Sequence, residues 1–347
     1  MTEDLRDWLT RVEGIEELKK LDGADWDLEI GYLTAMNWLK KGPALLFDNI
    51  RGYPEGWRVL TCSTSTRSRT ALTLGLPIDA SDKELMEIVR QRLSQWQANL
   101  DDFAPKVVKQ GPLMQNIWDK DEVDLLRFPT PKWHEEDGGR YIGTGHLVIT
   151  RDPDTGEVNL GTYRVMLHDA KTVGISIAPG KHGQLHIQKY HERGQPCPIA
   201  ISLGQHPLLF WLSAFGVPEG EEYAYIGAIR GKPVEVIEEE ITGLPIPADS
   251  EIVLVGWCPP GKTHLEGPFG EFTGYYASGE RQNPIIEVER VYFRNHPIML
   301  GSPPGRPPND TDYYFSLLAN VMSENELKRC GIPEVKGVWN HSIVGAM

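Results

Sequence analysis

From about residue 126 onward the chain is a succession of short strand-prone runs broken by turns, and this constrains the fold more than any other feature. Gly145 to Thr150 and Val158 to Leu167 flank Asp152-Pro153-Asp154-Thr155-Gly156, the pattern of a β-hairpin. Pro198 to Leu203, Ser250 to Trp257 and Ile285 to Tyr292 predict further strands, and only Pro207 to Phe215 reads as helical between them. Many short strands with one helix predict a β-barrel or sandwich. The 35 glycines and 26 prolines among 347 residues favour such a loop-rich chain over a helical bundle.

The first 125 residues read differently. Leu5, Trp8, Leu9 and Val12 recur at helical spacing. Gly42-Pro43 leads into Ala44-Leu45-Leu46-Phe47, a short apolar run that predicts a buried strand. Ser81 and Glu84 form a capping box that opens a helix with Leu85, Ile88, Val89, Trp96 and Leu100 on one face. The expected organisation is a mixed α/β domain over 1–125 and a barrel over 126–314, divided near Phe128-Pro129-Thr130-Pro131. A linker helix from Phe315 to Arg329 follows, broken by Cys330-Gly331-Ile332-Pro333. Trp339 to Met347 then reads as a strand that begins and stops, as in the front part of a longer protein.

Charge and cysteine usage narrow the function. Against 35 basic residues stand 49 acidic ones, a net charge of −14, which disfavours both nucleic acid and anionic lipid as partners. Cys62, Cys197, Cys258 and Cys330 are dispersed with no C-x-x-C pair, so neither a disulfide framework nor a zinc knuckle is expected. The N-terminus is acidic and lacks the apolar region of a signal peptide, and Leu208 to Val217 is about half a membrane span. These features predict a cytoplasmic protein.

Four polar groupings are candidates for chemistry. Glu266-Gly267-Pro268-Phe269-Gly270-Glu271 sets two carboxylates five apart in a segment whose glycines and proline disfavour a helix. By spacing alone its default reading is a surface turn with two solvated glutamates. Arg164 lies in the apolar run Tyr163 to Leu167, where an arginine ordinarily occupies the wet face of a strand. His182 and His186, with His191 beyond, have the i, i+4 spacing that can present two metal ligands on one helix face, but without an H-E-x-x-H motif or a cysteine partner their default reading is solvated histidines. Glu219, Glu221 and Glu222 form an acidic cluster whose default setting is a solvated loop.

Taken together, these motifs resemble the UbiD family of (de)carboxylases, which use prenylated FMN. The resemblance is carried by Asp137-Gly138-Gly139-Arg140-Tyr141, by Asn159-Leu160-Gly161-Thr162-Tyr163-Arg164, and by Glu266 to Glu271 continued through Phe272-Thr273-Gly274-Tyr275. Leu5-Arg6-Asp7-Trp8, Gly42 to Pro54 and Ala248 to Leu254 extend it over essentially the whole chain. It implies a mixed α/β N-terminal domain, a split β-barrel like that of flavin reductases, and a C-terminal α/β domain that is largely absent here.

The resemblance also implies a reaction: reversible, non-oxidative decarboxylation of an aromatic or α,β-unsaturated carboxylic acid. Arg164, Glu266 and Glu271 match the family's catalytic group. Arg164 would hold the substrate carboxylate and pair with Glu266 through its planar fork. That pairing would keep Glu266 ionised and leave Glu271 free to carry the proton that replaces CO2. The cofactor phosphate would be held through Mn2+ or Mg2+ liganded by Asn159, His182 and Glu222, with Thr162 and Arg164 also contacting the cofactor. His186 is the rival to His182, and a potassium ion accompanies the metal in the family. The implied partners are the acid and CO2, a UbiX-type flavin prenyltransferase that supplies the cofactor, and further copies of the chain, as a dimer or hexamer in the full-length form. A 347-residue chain is expected to bind cofactor weakly and turn over poorly beside one extended past Met347. The alternatives are an FMN oxidoreductase on the same barrel, which has no evident need of an Arg–Glu–Glu group, and a non-catalytic fragment or subunit.

One geometric expectation follows. Residues five apart on a regular strand face opposite sides of the sheet, yet Asn159 and Arg164 must serve one cofactor. The strand is therefore expected to bulge at Gly161 or to restart after it.

Overall fold

The computed structural model describes residues 3–339 except 216 and 333. The strand expected to open at Trp339 falls on 340–347 and lies outside the described residues.

Three sheets organise the described residues. A four-stranded sheet runs in the order Leu18–Asp22, Ala44–Asp48, Arg58–Thr61, Ile298–Leu300. The helix Leu5–Gly14 turns Leu5, Trp8, Leu9 and Val12 inward, capped by Asp4, whose side chain accepts from Asp7 N. The Trp8 indole donates to Thr73 Oγ1 at 2.9 Å, so its polar edge is satisfied as its rings are buried. The capping box at Ser81 and Glu84 starts the helix Asp82–Ala98 as the spacing predicts.

A ten-stranded sheet forms the centre. Its main path is Arg140–Gly143, Val165–Leu167, Thr172–Ile175, Arg281–Phe293, Ile252–Cys258, Cys197–Leu203, His146–Arg151, Val158–Gly161. Gly161 and Val165 are four residues apart in sequence, yet their strands lie six steps apart on this path. Six steps in a flat sheet would span roughly 29 Å, whereas four residues of extended chain reach at most about 14 Å. The sheet must therefore curl into a half-barrel whose seam is crossed by Thr162, Tyr163 and Arg164. The mixed α/β chain with a curled sheet is the fold class expected from the sequence.

Gly256 marks a register shift on the Ile252–Cys258 strand, and a Cβ there would stand 2.1 Å from Glu287 O, so the close approach of the two backbones needs glycine. A three-stranded sheet, Pro245–Pro247, Glu235–Glu238 and Lys106–Val107, completes the set. Sheet membership does not follow a division at 125. Asn116–Asp119 pairs with the long barrel strand, and Ile298–Leu300 pairs with Arg58–Leu60.

The expectation of a single helix among the barrel strands is corrected. His182–Glu192 and Glu222–Arg230 are helices as well as Pro207–Ala214. The first buries only Gly183, His186 and Ile187, so it has no apolar stripe to read. The second buries Tyr223, Tyr225, Ile226, Ala228 and Ile229 nearly all round, so its apolar residues mark no face. The helix Asp312–Arg329 returns to the body of the protein through Arg90 Nη2 to Glu324 Oε2 at 2.8 Å and a Trp211–Tyr314 stack with centroids 4.3 Å apart. Among the described residues no helix is long and apolar enough to cross a membrane.

Candidate active site

The seam is where the site begins. Pairing stops at Gly161 and resumes at Val165 with different partners, which is the interruption expected from the spacing of Asn159 and Arg164. Tyr163 folds back so that its ring occupies the space a Cβ on Gly161 would need, 2.2 Å away, and lies against Gly183, where a Cβ would stand at 2.6 Å. Its hydroxyl accepts from Gly183 N at 3.2 Å and Asn159 Nδ2 at 3.4 Å. His146 is fully buried; burial lowers its pKa to about 4, so the ring is neutral and donates Nε2–H to the Tyr163 carbonyl at 2.9 Å.

Beyond the seam, Arg164 meets both glutamates. Its Nε and Nη2 donate to Glu266 Oε1 and Oε2 at 2.8 and 2.9 Å, and its Nη1 donates to Glu271 Oε1 at 2.8 Å. Glu266 is 1% exposed and accepts two more bonds, from Tyr141 OH at 2.9 Å and Asn283 Nδ2 at 2.8 Å. Among the described residues the Glu271 carboxylate has the single bond from Arg164, and its side chain is 28% exposed. The two carboxylates thus differ: one is saturated by donors, the other keeps an oxygen open to the cavity.

The loop that carries them is clamped from below. Asp137 Oδ1 accepts from Gly270 N at 2.9 Å, and Gly138 N donates to Pro268 O at 2.8 Å. A Cβ on Gly138 would stand 1.9 Å from Gly267 O, so this contact requires glycine. The Asp137 to Tyr141 motif is therefore the bed of the glutamate loop. The sequence alone gives no role to Tyr141 or Asn283. Tyr141 closes a motif that is visible in the sequence, while Asn283 sits in a segment with no distinguishing pattern.

Two adjoining cavities meet at Thr162, Tyr163, Lys181 and Ala214. The larger, about 520 Å3, is lined by Arg164 and Glu271 together with Phe269, Phe272 and Tyr314. The smaller, about 350 Å3, is lined by Asn159, Thr162, His182 and Glu222. Glu222 is 4% exposed in the first turn of its helix, and burial pushes its carboxyl up to about 7. Leu160 N donates to it at 3.3 Å. The structure brings His182, and not His186, to this cavity. His186 lies one turn deeper, 1% exposed, with its Nε2 2.8 Å from Glu219 Oε1 and its Nδ1 2.9 Å from Thr150 Oγ1. Glu219 Oε2 lies 3.7 Å from His182 Nε2. Asp152, His186 and Glu219 bring one ligand atom each within 4.8 Å of one another, but Lys189 already pairs with Asp152.

The donor set of the smaller cavity suits a hard divalent cation: an amide, an imidazole and a carboxylate. The Asn159 amide nitrogen is directed to Thr150 Oγ1 and Tyr163 OH, which leaves its oxygen for another partner. A cation would also relieve the cost of burying Glu222. These residues fit a metal-held phosphate, and the larger cavity beyond them has apolar walls for a ring.

The chain matches the 3-octaprenyl-4-hydroxybenzoate carboxy-lyase Rift-related domain over residues 106–307 and the N-terminal domain of the same carboxy-lyase over 9–89. It is 33% identical over 323 residues to pyrrole-2-carboxylic acid decarboxylase of Pseudomonas aeruginosa, covering 91% of this chain and 64% of that protein, just under two thirds of its length. Its fold superposes on vanillic acid decarboxylase of Sedimentibacter hydroxybenzoicus in closed form with a TM-score of 0.88 at 30% identity, over 97% of this chain and 71% of the other. It superposes on the UbiD-class enzyme HmfF of Pelotomaculum thermopropionicum, in an evolved dimeric form in complex with prFMN, with a TM-score of 0.86 at 27% identity, over 99% and 76%.

Proposed function

The chain belongs to the UbiD family of carboxy-lyases, and from that premise we propose that it is a prenylated-FMN-dependent decarboxylase of an aromatic or α,β-unsaturated carboxylic acid. The observation that carries this reading is the Arg164 fork, which holds two glutamates in unequal settings on the wall of a cavity continuous with the Asn159, His182 and Glu222 pocket. The names of the relatives, decarboxylases of pyrrole-2-carboxylic and vanillic acids, support an aromatic acid as substrate.

Prenylated FMN, when bound, supplies the electron sink for the carbon that loses CO2. The protein supplies position and a proton. Arg164 keeps N–H groups beyond those spent on the glutamates and orients the substrate carboxylate with them. Glu266, fixed by four donors, holds the guanidinium in place. Glu271, with one oxygen uncommitted, delivers the proton that takes the place of CO2, and in the reverse direction removes it. Phe269, Phe272 and Tyr314 pack the substrate ring and exclude water. Asn159, His182 and Glu222 would hold Mn2+ or Mg2+ against the cofactor phosphate, with Thr162 at the junction and K+ as a companion ion. The reading includes a UbiX-type prenyltransferase as supplier of the cofactor, a homo-oligomeric assembly and a cytoplasmic setting. Supporting that setting, Cys197 and Cys258 stand opposite one another on neighbouring strands as free thiols.

The test is co-expression with a flavin prenyltransferase, anaerobic purification and assay of CO2 release from a panel of aromatic and unsaturated acids. Release of CO2 with a modified-flavin spectrum is expected. An ordinary flavin spectrum with hydride transfer would instead assign the chain to the oxidoreductases, and a colourless, inactive protein would overturn the cofactor reading.

A further inference from the structure

The walls of the 520 Å3 cavity carry three side chains of full positive charge: Arg164, Lys181 and Arg281. Arg164 is spent on Glu266 and Glu271. Lys181 stands at the junction with the smaller cavity, beside His182. Arg281 forms no ion pair among the described residues, and it is exposed. Its position is set by strand pairing: Thr263–Glu266 runs antiparallel to Arg281–Phe293, with Glu266 opposite Arg281 and Leu265 opposite Gln282. Residues opposite one another project to the same face, and so does the residue two further along. Asn283 confirms the face, since its amide reaches Glu266 Oε2 at 2.8 Å. Arg281 and Asn283 therefore share the cavity face with Glu266, and the exposed one of the pair is the cation.

This placement answers an electrostatic problem in the proposed function, on which the inference rests. Arg164 is already paired with two glutamates, so a carboxylate arriving there meets a cluster without net attraction. Of the two further cations on these walls, Lys181 stands at the junction with the smaller cavity, which leaves the exposed Arg281 to draw an anion in and to fix which end of it leads. We propose that Arg281 is the specificity-determining residue that draws the substrate carboxylate into the cavity and delivers it to Arg164. It is a binding residue, and the reacting atoms remain with Arg164 and Glu271.

The test uses the flavin-loaded protein and its Arg281→Gln and Arg281→Lys variants. Binding of benzoate and of its neutral counterpart benzamide is measured by calorimetry, and KM and kcat are measured for pyrrole-2-carboxylate, each from low salt to about 0.3 M. Arg281→Gln is expected to weaken benzoate and raise KM about tenfold with kcat within about twofold, to leave benzamide unchanged, and to remove the salt dependence. Arg281→Lys should recover most of the loss. The proposal is overturned if Arg281→Gln binds benzoate as the parent does, if benzamide weakens as much as benzoate, or if the parent binds no benzoate. The two readings fail separately. If no acid is decarboxylated but benzoate binding still falls in Arg281→Gln, the decarboxylase reading fails and Arg281 stands. If decarboxylation proceeds with an unchanged KM in Arg281→Gln, the decarboxylase reading stands and the role of Arg281 falls.

Discussion

At the Arg164 end of the cavity Glu266 accepts from four donors and Glu271 is held by one, whereas at the Asn159 end the buried Glu222 is met by backbone amides, that of Leu160 at 3.3 Å, with no cationic side chain paired to it among the described residues. Both regions gather acidic groups, but only the first pairs them with a cationic side chain of the protein, Arg164. The second would gain stability from a ligand of positive charge. A cluster held by its own arginine is pre-organised, because its groups keep their places without a ligand. A cluster short of positive charge is built for holding, because a bound cation removes a cost already present in the fold.

Four substitutions sharpen or break this contrast. Glu271→Gln is expected to lower the single-turnover rate of CO2 release by about 10^2- to 10^4-fold with flavin still bound, because it removes the proton and leaves the holding end intact. Loss of flavin in this variant would erase the distinction between the two ends.

Glu222→Gln tests the holding end through pH. Burial raises the Glu222 carboxyl to about 7, above the ordinary 4.5. A group raised in the folded state contributes its stability below the unfolded pKa and loses it as pH rises through the folded value. In metal-free protein the parent should therefore lose stability relative to Glu222→Gln between about pH 4.5 and 7, by on the order of 3 kcal/mol in denaturant titrations. Parallel stability curves would show that Glu222 is already compensated.

Asn159→Ala should weaken metal and flavin together by roughly 10- to 100-fold, read by metal content and flavin absorbance of the purified protein. Metal lost with flavin retained would uncouple the two. The smallest effect belongs to Tyr141→Phe, which removes one of four donors to Glu266 and should lower kcat by about three- to tenfold with unchanged flavin content.

The reactive end is more legible in the sequence than the holding end, for physical reasons. Arg164, Glu266 and Glu271 belong to short motifs whose glycines and proline serve local contacts, such as Gly138 against Gly267 O, so the pattern survives in one dimension. The break at Gly161 can be foreseen because the period of a strand forbids Asn159 and Arg164 a common face. His182 and His186 cannot be told apart by spacing, since i, i+4 places both on one helix face. The choice depends on depth: one sits half-exposed at the start of the helix, the other a turn further in between Thr150 and Glu219. The helices His182–Glu192 and Glu222–Arg230 leave no periodic signal because one buries too little and the other too much. Asn283 and Arg281 reach the face of Glu266 through a register that sets Arg281 opposite Glu266 and Asn283 opposite His264, which no local pattern records.

The central claim is that both regions serve one flavin. Its most direct test is a crystal structure of the chain loaded with Mn2+ and flavin, with the metal located by anomalous scattering. A manganese peak is expected among Asn159, His182 and Glu222 in contact with the phosphate, with the flavin ring against Arg164 and Glu271. A peak at Asp152 and His186, or a flavin whose ring lies away from Arg164, would contradict it.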